Sequence, residues 1–273
     1  MVNVLKLGGE LLENADAIRE SARAIVRAAG GGPLVVVHGG GRAIDAEVRA
    51  HGAEPRFVDG LRVTDAAALD AAVSVLAGRN NTALVAAIGA AGGRAVGLTG
   101  ADAFIGRSSR AGLFSTVAGE QVDLGLVGQP ENPDVSLLED LTRLGYIPVV
   151  ASIGATAAGE LLNVNADTLA GHLAAALGAS RLTIAGGTPG VLDEAGRTIA
   201  QLTGAEIDGM IASGTAHSGM VAKLAACRRA LDGGVAEVAI VGGRGVMDFA
   251  AAPGTRIARA EPFVTPYFLR ESM

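Results

Sequence analysis

Six short apolar runs recur along the chain, and the segments between them carry helical periodicity. The runs 2–7 (VNVLKL), 34–38 (LVVVH), 95–99 (AVGLT), 147–152 (IPVVAS), 181–186 (RLTIAG) and 237–242 (EVAIVG) are continuously apolar. Continuous rather than alternating hydrophobicity is the pattern of strands covered on both faces. Between the first two, residues 15–29 place Ile18, Ala22, Ile25, Val26 and Ala29 on one helical face, with Asn14 as cap and glycines at 30–32 after the last turn. Further helices are expected over 42–52, 65–90, 134–144, 166–178, 204–213 and 219–233, and Thr203 with Glu206 has capping-box spacing. This alternation predicts an α/β protein with a mostly parallel sheet and helices on both faces. Residues 101–130, rich in Gly and Ser, break the rhythm and read as hairpins. Gly178, Ala179 and Ser180 are a candidate boundary between two lobes, 1–178 and 179–273.

Composition excludes several classes of function. A net charge of −6, 3% aromatic residues and no Trp argue against a nucleic-acid partner. The N-terminus has no secretory pattern, and Gly, Asn or charge interrupts every apolar stretch short of a membrane span, so a cytoplasmic protein is expected. The single cysteine, Cys227, sits at helical spacing and reads as a packed core residue. The four histidines have no metal-ligand spacing, and no metal site is expected.

Of 22 basic side chains only Lys6 and Lys223 are lysine. Lysine is a compact ammonium that arginine's flat fork cannot replace in a tight pocket, and Lys6 lies inside a run that should be buried. Both positions therefore call for an anion. Glycine-rich turns follow the first two strands, with Gly8 and Gly9 in KLGGE and Gly39, Gly40 and Gly41 in HGGGR. Backbone free of side chains beside a helix N-terminus can cradle an anion, though such turns also occur for purely steric reasons. Neither a P-loop nor GxGxxG is present. GLRVTD offers Arg62 next to a helix start at Thr64, where it could clamp a carboxylate. NVNADTLAG gathers Asn163, Asn165 and Asp167 at a helix opening: amides for a substrate, and a carboxylate able to hold lysines. Lys223, near the start of a helix, opposes the helix dipole and needs a compensating charge, which triphosphate oxygens would supply.

In order along the chain, KLGG, HGGG, GLRVTD, VGLTGADA, VDLGLVG, GYIPVVASIG, NVNADTLAG, TPGVLD, GMVAKLAA and GTRI resemble the amino acid kinase family, and within it the members that phosphorylate N-acetyl-L-glutamate in arginine biosynthesis. The resemblance implies an open three-layer αβα sandwich, with the acyl-amino acid and the dimer contact in lobe 1–178 and ATP in lobe 179–273. It implies that Lys6 and Lys223 stabilise the phosphoryl group in transfer and that Asp167 holds them. Gly40 and Gly41, with Arg62 and Asn163, would bind the substrate, Gly8 and Gly9 the phosphates. Gly186, Gly187, Thr188, Gly190, Thr215 and His217 would form the nucleotide side. Mg-ATP would be the cosubstrate, its metal held mainly by phosphate and water, and the protein a homodimer insensitive to arginine because only five residues precede Lys6. Three positions depart from the family's pattern: Glu10 after GG, where a small polar residue is usual; Arg42 after HGGG, where proline is; and Gly187 in place of an aspartate. Two neighbouring readings stand beside this one. The substrate could be another N-acylglutamate, such as N-succinylglutamate, or glutamate or aminoadipate on a small acidic carrier met by Arg42, Arg49 and Arg56. A non-enzymatic alternative is a catalytically silent ligand sensor.

Overall fold

The continuous apolar runs form the middle of one eight-stranded sheet in the computed structural model, which describes residues 1–116, 119–216 and 219–258. Across the sheet the strands follow the order Gln201–Thr203, Gly254–Ala258, Glu237–Gly242, Arg181–Gly186, Asn3–Leu7, Leu34–His38, Ile147–Ala151 and Ala95–Thr99. Neighbours run parallel, except that Gly254–Ala258 lies antiparallel to Glu237–Gly242. The six strands expected from apolar runs are all present. The two at one edge were not anticipated: Gln201–Thr203 and Gly254–Ala258 are short and carry Gln, Thr and Arg, so neither makes an apolar run. Because Arg181–Gly186 pairs along Asn3–Leu7, the sheet continues unbroken across the boundary expected at 178–180.

The pleat of the first strand sorts its side chains between two helical layers. Leu5 and Leu7 pack with Ile25, Leu84 and Ile88 on the face covered by helices Ala15–Gly30 and Asn81–Ala90. Val4, in line with Val35 and Leu182, packs with Leu138, Leu169 and Leu224 under helices Ser136–Arg143, Ala166–Ala176 and Gly219–Asp232. Each such large side chain contributes roughly 1.5–3 kcal/mol on burial. This is the expected αβα sandwich. Lys6 points to the same face as Val4, one pleat nearer the carboxyl end, in register with Val37 and Ile184. It is thus an ammonium at the rim of an apolar layer.

Local signals hold at several helix ends. Asn14 accepts from Ala17 N–H, and Thr203 and Glu206 complete a reciprocal capping box. Thr64 does not start the third helix; Asp65 caps it, accepting from Ala68 N–H. That helix is one run of 25 residues, Ala66–Ala90, with mean hydropathy 1.2. This corrects the expectation that every apolar stretch falls short of a span, because Gly and Asn interrupt its sequence without interrupting the helix. The run packs on helices Ala15–Gly30 and Gly41–Ala50, as a core helix does. Its middle, Ser74–Asn80, widens into π geometry, and Leu76 and Asn80 there lie against Gly40.

The expected hairpins at 101–130 are present: Leu113–Ser115 pairs with Gln121–Asp123, and Ser108–Arg110 with Val127–Pro130. The latter pair joins a second, four-stranded sheet with Leu161–Val164 and Ile153–Ala155. Only Ser152 separates that last strand from the main sheet, so the second sheet starts at the carboxyl ends of the main strands.

Candidate active site

The two glycine-rich turns meet at those carboxyl ends. A Cβ on Gly9 would stand 2.8 Å from Gly40 Cα, so the turns pack backbone to backbone. Gly40 precedes helix Gly41–Ala50 as its N-cap. N–H groups at that end of a helix have no intrahelical partner. Behind the turn His38 is wholly buried, and burial pushes its pKa down to about 4. Asn81 Nδ2 donates to His38 Nε2 (3.1 Å) and to Val149 O (2.9 Å), so Nδ1 carries the proton and faces Gly39 O at 3.3 Å. His38 is a neutral strut behind the glycine turn.

Asp167 lies in the first turn of helix Ala166–Ala176, capped by Asn165, whose Oδ1 accepts from Asp167 N–H and Thr168 N–H. Its carboxylate stands between the two lysines. Lys6 Nζ is 2.8 Å from Oδ1 and Lys223 Nζ 3.5 Å from Oδ2, and the three side chains are 6%, 17% and 7% exposed for Lys6, Lys223 and Asp167. The Lys6 contact lies off the hydrogen-bonding direction of Oδ1, so it is held by charge. Lys223 sits near the start of helix Gly219–Asp232, as its sequence suggested, and Nζ reaches back to Gly219 O at 3.4 Å. Two ammoniums and the N-terminal end of the Asp167 helix converge on one carboxylate. Counting these groups alone, without the nearby Glu10, the balance is positive, which suits an anion.

On the other side of Lys6, a cleft of about 240 Å³ is lined by Gly40, Gly41, Arg62, Ser152, Asn163 and Asp167 among others. Arg62 is aimed by a hairpin, Arg56–Val58 against Leu61–Val63. Asp59 and Gly60, both at positive φ, form the two-residue turn that suits such a hairpin. Arg62 stacks on Phe57, its cross-strand neighbour, with the guanidinium carbon 4.8 Å from the ring centroid. Nη2 meets Asp45 Oδ1 at 2.6 Å and Gly41 O at 3.1 Å, while Nη1 is buried without a partner. A buried unpaired donor is costly, so a ligand carboxylate at Nη1 would relieve it. Asn163 Nδ2 donates to Thr64 Oγ1 at 3.1 Å, and Thr64 is fully buried. This leaves Asn163 Oδ1 as the acceptor for a ligand N–H.

The nucleotide-side candidates split. Gly186 and Gly187 stand beside the lysines: a Cβ on Gly186 would be 3.9 Å from Lys223 Cε. Thr188, Gly190 and Thr215 line a separate cleft of about 580 Å³ with Asp193, Met210 and Met220. Gly190, at φ +136°, also fits steric need, since a Cβ would press on Thr198 and Thr255 at 2.8 Å. His217 lies outside the described residues. Gly8 does not offer its N–H as expected, because that group already donates to Ala185 O at 2.8 Å and extends the strand pairing. Among the described residues no group of three or more His, Cys, Asp or Glu could hold a metal ion.

The profile of the amino acid kinase family matches residues 1–242. The chain belongs to the amino acid kinase family. It is 42% identical over 247 residues to an acetylglutamate kinase from Symbiobacterium thermophilum, covering 88% of this chain and 84% of that one. Against the acetylglutamate kinase of Zymomonas mobilis the identity is 42% over 247 residues, with 88% and 82% covered. In fold it is similar to smu.665 from Streptococcus mutans UA159, with TM-score 0.77 and 24% identity over 94% of this chain and 98% of that one. The sequence motifs name the lysines, Asp167, Arg62 and Asn163; the structure gathers Lys6, Asp167, Arg62 and Asn163 around one cleft, with Lys223 joined to them through Asp167. The motifs missed Asp45, Thr64 and Phe57, which hold those residues, and the position of Glu10. For Phe57 the signal is the Asp59-Gly60 turn, which sets it across the hairpin from Arg62; nothing in the sequence joins Asp45 to Arg62.

Among the remaining readings, Cys227 is wholly buried, and burial raises its thiol pKa well above the usual value. Arg42 pairs with Glu13 and Arg49 with Glu54, so those two arginines are neutralised locally. His172, on the helix face expected for it, has its pKa lowered to about 4 by burial and by Arg229.

Proposed function

We propose that this protein transfers the γ-phosphoryl group of ATP to the γ-carboxylate of N-acetyl-L-glutamate, giving N-acetylglutamyl 5-phosphate and ADP. The observation that carries this reading is Asp167 holding Lys6 and Lys223 beside a cleft lined by Arg62 and Asn163. The relatives' name, acetylglutamate kinase, supports it.

In this reading Arg62 Nη1 takes the α-carboxylate, and Asn163 Oδ1 accepts from the acetamido N–H. Gly40 and Gly41 turn N–H groups toward the γ-carboxylate. A γ-carboxylate oxygen attacks the γ-phosphorus while the bond to the β-phosphate bridging oxygen breaks. The nucleophile is ionised at neutral pH, so no general base is needed. Lys6 and Lys223 neutralise charge on the equatorial oxygens, and Asp167 keeps both ammoniums oriented. Mg²⁺ bound to the phosphates would draw off charge from the leaving group. Residues 1–178 would supply the acceptor side and 179–273 the nucleotide side, with Gly186, Gly187, Thr188, Gly190 and Thr215 along ATP. A cytoplasmic homodimer, as the family resemblance implies, completes this reading.

The test is ADP release with MgATP and N-acetylglutamate, N-succinylglutamate or glutamate, with hydroxylamine to trap acyl phosphate. Turnover and hydroxamate with N-acetylglutamate are expected. Turnover confined to another acceptor, or none at all, overturns the reading.

A further inference from the structure

Glu10 places a carboxylate where the proposed function seats phosphate. The side chain folds back over the first glycine turn, so that a Cβ on Gly8 would lie 2.4 Å from Oε2 and 2.6 Å from Oε1. Oε1 accepts from Gly187 N–H at 2.5 Å, across 177 residues of sequence. A Cβ on Gly186 would stand 3.0 Å from the same oxygen, and one on Gly187 3.4 Å. The carboxylate therefore fills the gap between two strand ends that are free of side chains. Burial raises its pKa, but hydrogen bonds from its own N–H and from Gly187 N–H, with the charges of Lys6 and Lys223, outweigh burial and hold it below the ordinary value. Main-chain donors plus two nearby ammoniums are what a phosphate group uses. Here a residue of the chain already uses them.

We propose that Glu10 is a specificity-determining residue: its carboxylate holds the phosphate seat and makes the site select metal-complexed nucleotide over free nucleotide. The inference rests on the nucleotide reading above. A bare polyphosphate must either expel Glu10 from its two N–H donors or lie beside it as a like charge. A nucleotide whose phosphates already carry Mg²⁺ brings less negative charge and meets less of this opposition. The discrimination follows from the position of one acid and needs no metal ligand from the protein.

Calorimetric titration with ADP, in EDTA and in excess Mg²⁺, tests this on the full-length chain, Glu10→Gln and Glu10→Ala. Glu10→Gln keeps shape and an acceptor oxygen for Gly187 while removing the charge, and Glu10→Ala empties the seat. For the unaltered chain Mg²⁺ should tighten ADP at least tenfold. Both variants should bind metal-free ADP at least tenfold more tightly than the unaltered chain, and the Mg²⁺ effect should shrink. Metal-free affinity that is unchanged or weaker in both folded variants overturns the inference. So does a loss confined to Mg-ADP, which would make Glu10 a metal ligand. ADP binding as expected without turnover on N-acetylglutamate would sink the proposed reaction and leave Glu10's role standing. Turnover with unaltered Glu10-variant binding would do the reverse.

Discussion

Lys6 Nζ lies 2.8 Å from Asp167 Oδ1, with both side chains almost wholly buried. Removing the negative partner leaves two ammoniums, Lys6 and Lys223, facing each other with little water. Asp167→Asn should therefore lower kcat by about 10²-fold or more, as expected when preorganised charge at a transferring phosphoryl group is lost. It should also destabilise the fold by about 3 kcal/mol, the scale for an unpaired buried charge. Steady-state kinetics and urea unfolding check the two parts, and near-normal kcat would remove Asp167 from its assigned role.

Thr64 tests a contact at one remove from the substrate. Its hydroxyl fixes Asn163 Nδ2 at 3.1 Å. Thr64→Val keeps the shape and deletes that acceptor, so Asn163 loses its fixed orientation. KM for N-acetylglutamate should rise about fivefold to thirtyfold, equivalent to roughly 1–2 kcal/mol, with KM for ATP unchanged. Equal changes in both constants would mean general damage to the site.

The buried strands were legible because both their faces are covered, which forces continuous apolar runs at 34–38 and 181–186. The edge strands were not, since Gln201 and Arg256 pair through backbone alone. A similar division runs through the site. Lys6 stood out as a charge inside a buried run, and Asp167 as an acid at a helix start. Glu10 looked like an ordinary residue after a turn. Its meaning depends on Gly187, brought near only by the pairing of Asn3–Leu7 with Arg181–Gly186. Thr64 and Asn163 are likewise joined through the segment around Leu126, whose N–H donates to Thr64 O and whose carbonyl accepts from Asn163 N–H. Spacing along a chain does not carry such contacts.

Gly9 offers a steric test. A methyl group there would press on Gly40 Cα at 2.8 Å, backbone against backbone, and neither side can yield by rotating a side chain. Gly9→Ala should push the two glycine turns apart and lower kcat/KM at least tenfold, because phosphoryl transfer is sensitive to placement at this scale. The melting temperature should fall by only a few degrees, since the strands behind the turns are untouched. Full activity in Gly9→Ala would show that the turns tolerate separation.

His38 gives a pH dependence with a fixed sign. Its folded pKa is about 4 against an ordinary 6.5, because burial disfavours the charged form. The unfolded chain takes up the proton below pH 6.5 and the folded chain does not until about pH 4. The stability His38 contributes is therefore complete above pH 6.5 and lost as pH falls toward 4. Over that window the loss amounts to roughly 3 kcal/mol. His172, lowered to about 4 by burial and Arg229, acts in the same direction. Carboxylates add their own acid sensitivity, so the useful quantity is a difference. Urea unfolding of the unaltered chain and of His38→Asn, from pH 7.5 to 4.5, should give curves that converge as pH falls. Parallel curves would mean that His38 takes up its proton equally in the folded and unfolded chain, and its place as a buried neutral strut behind Gly39 would have to be abandoned.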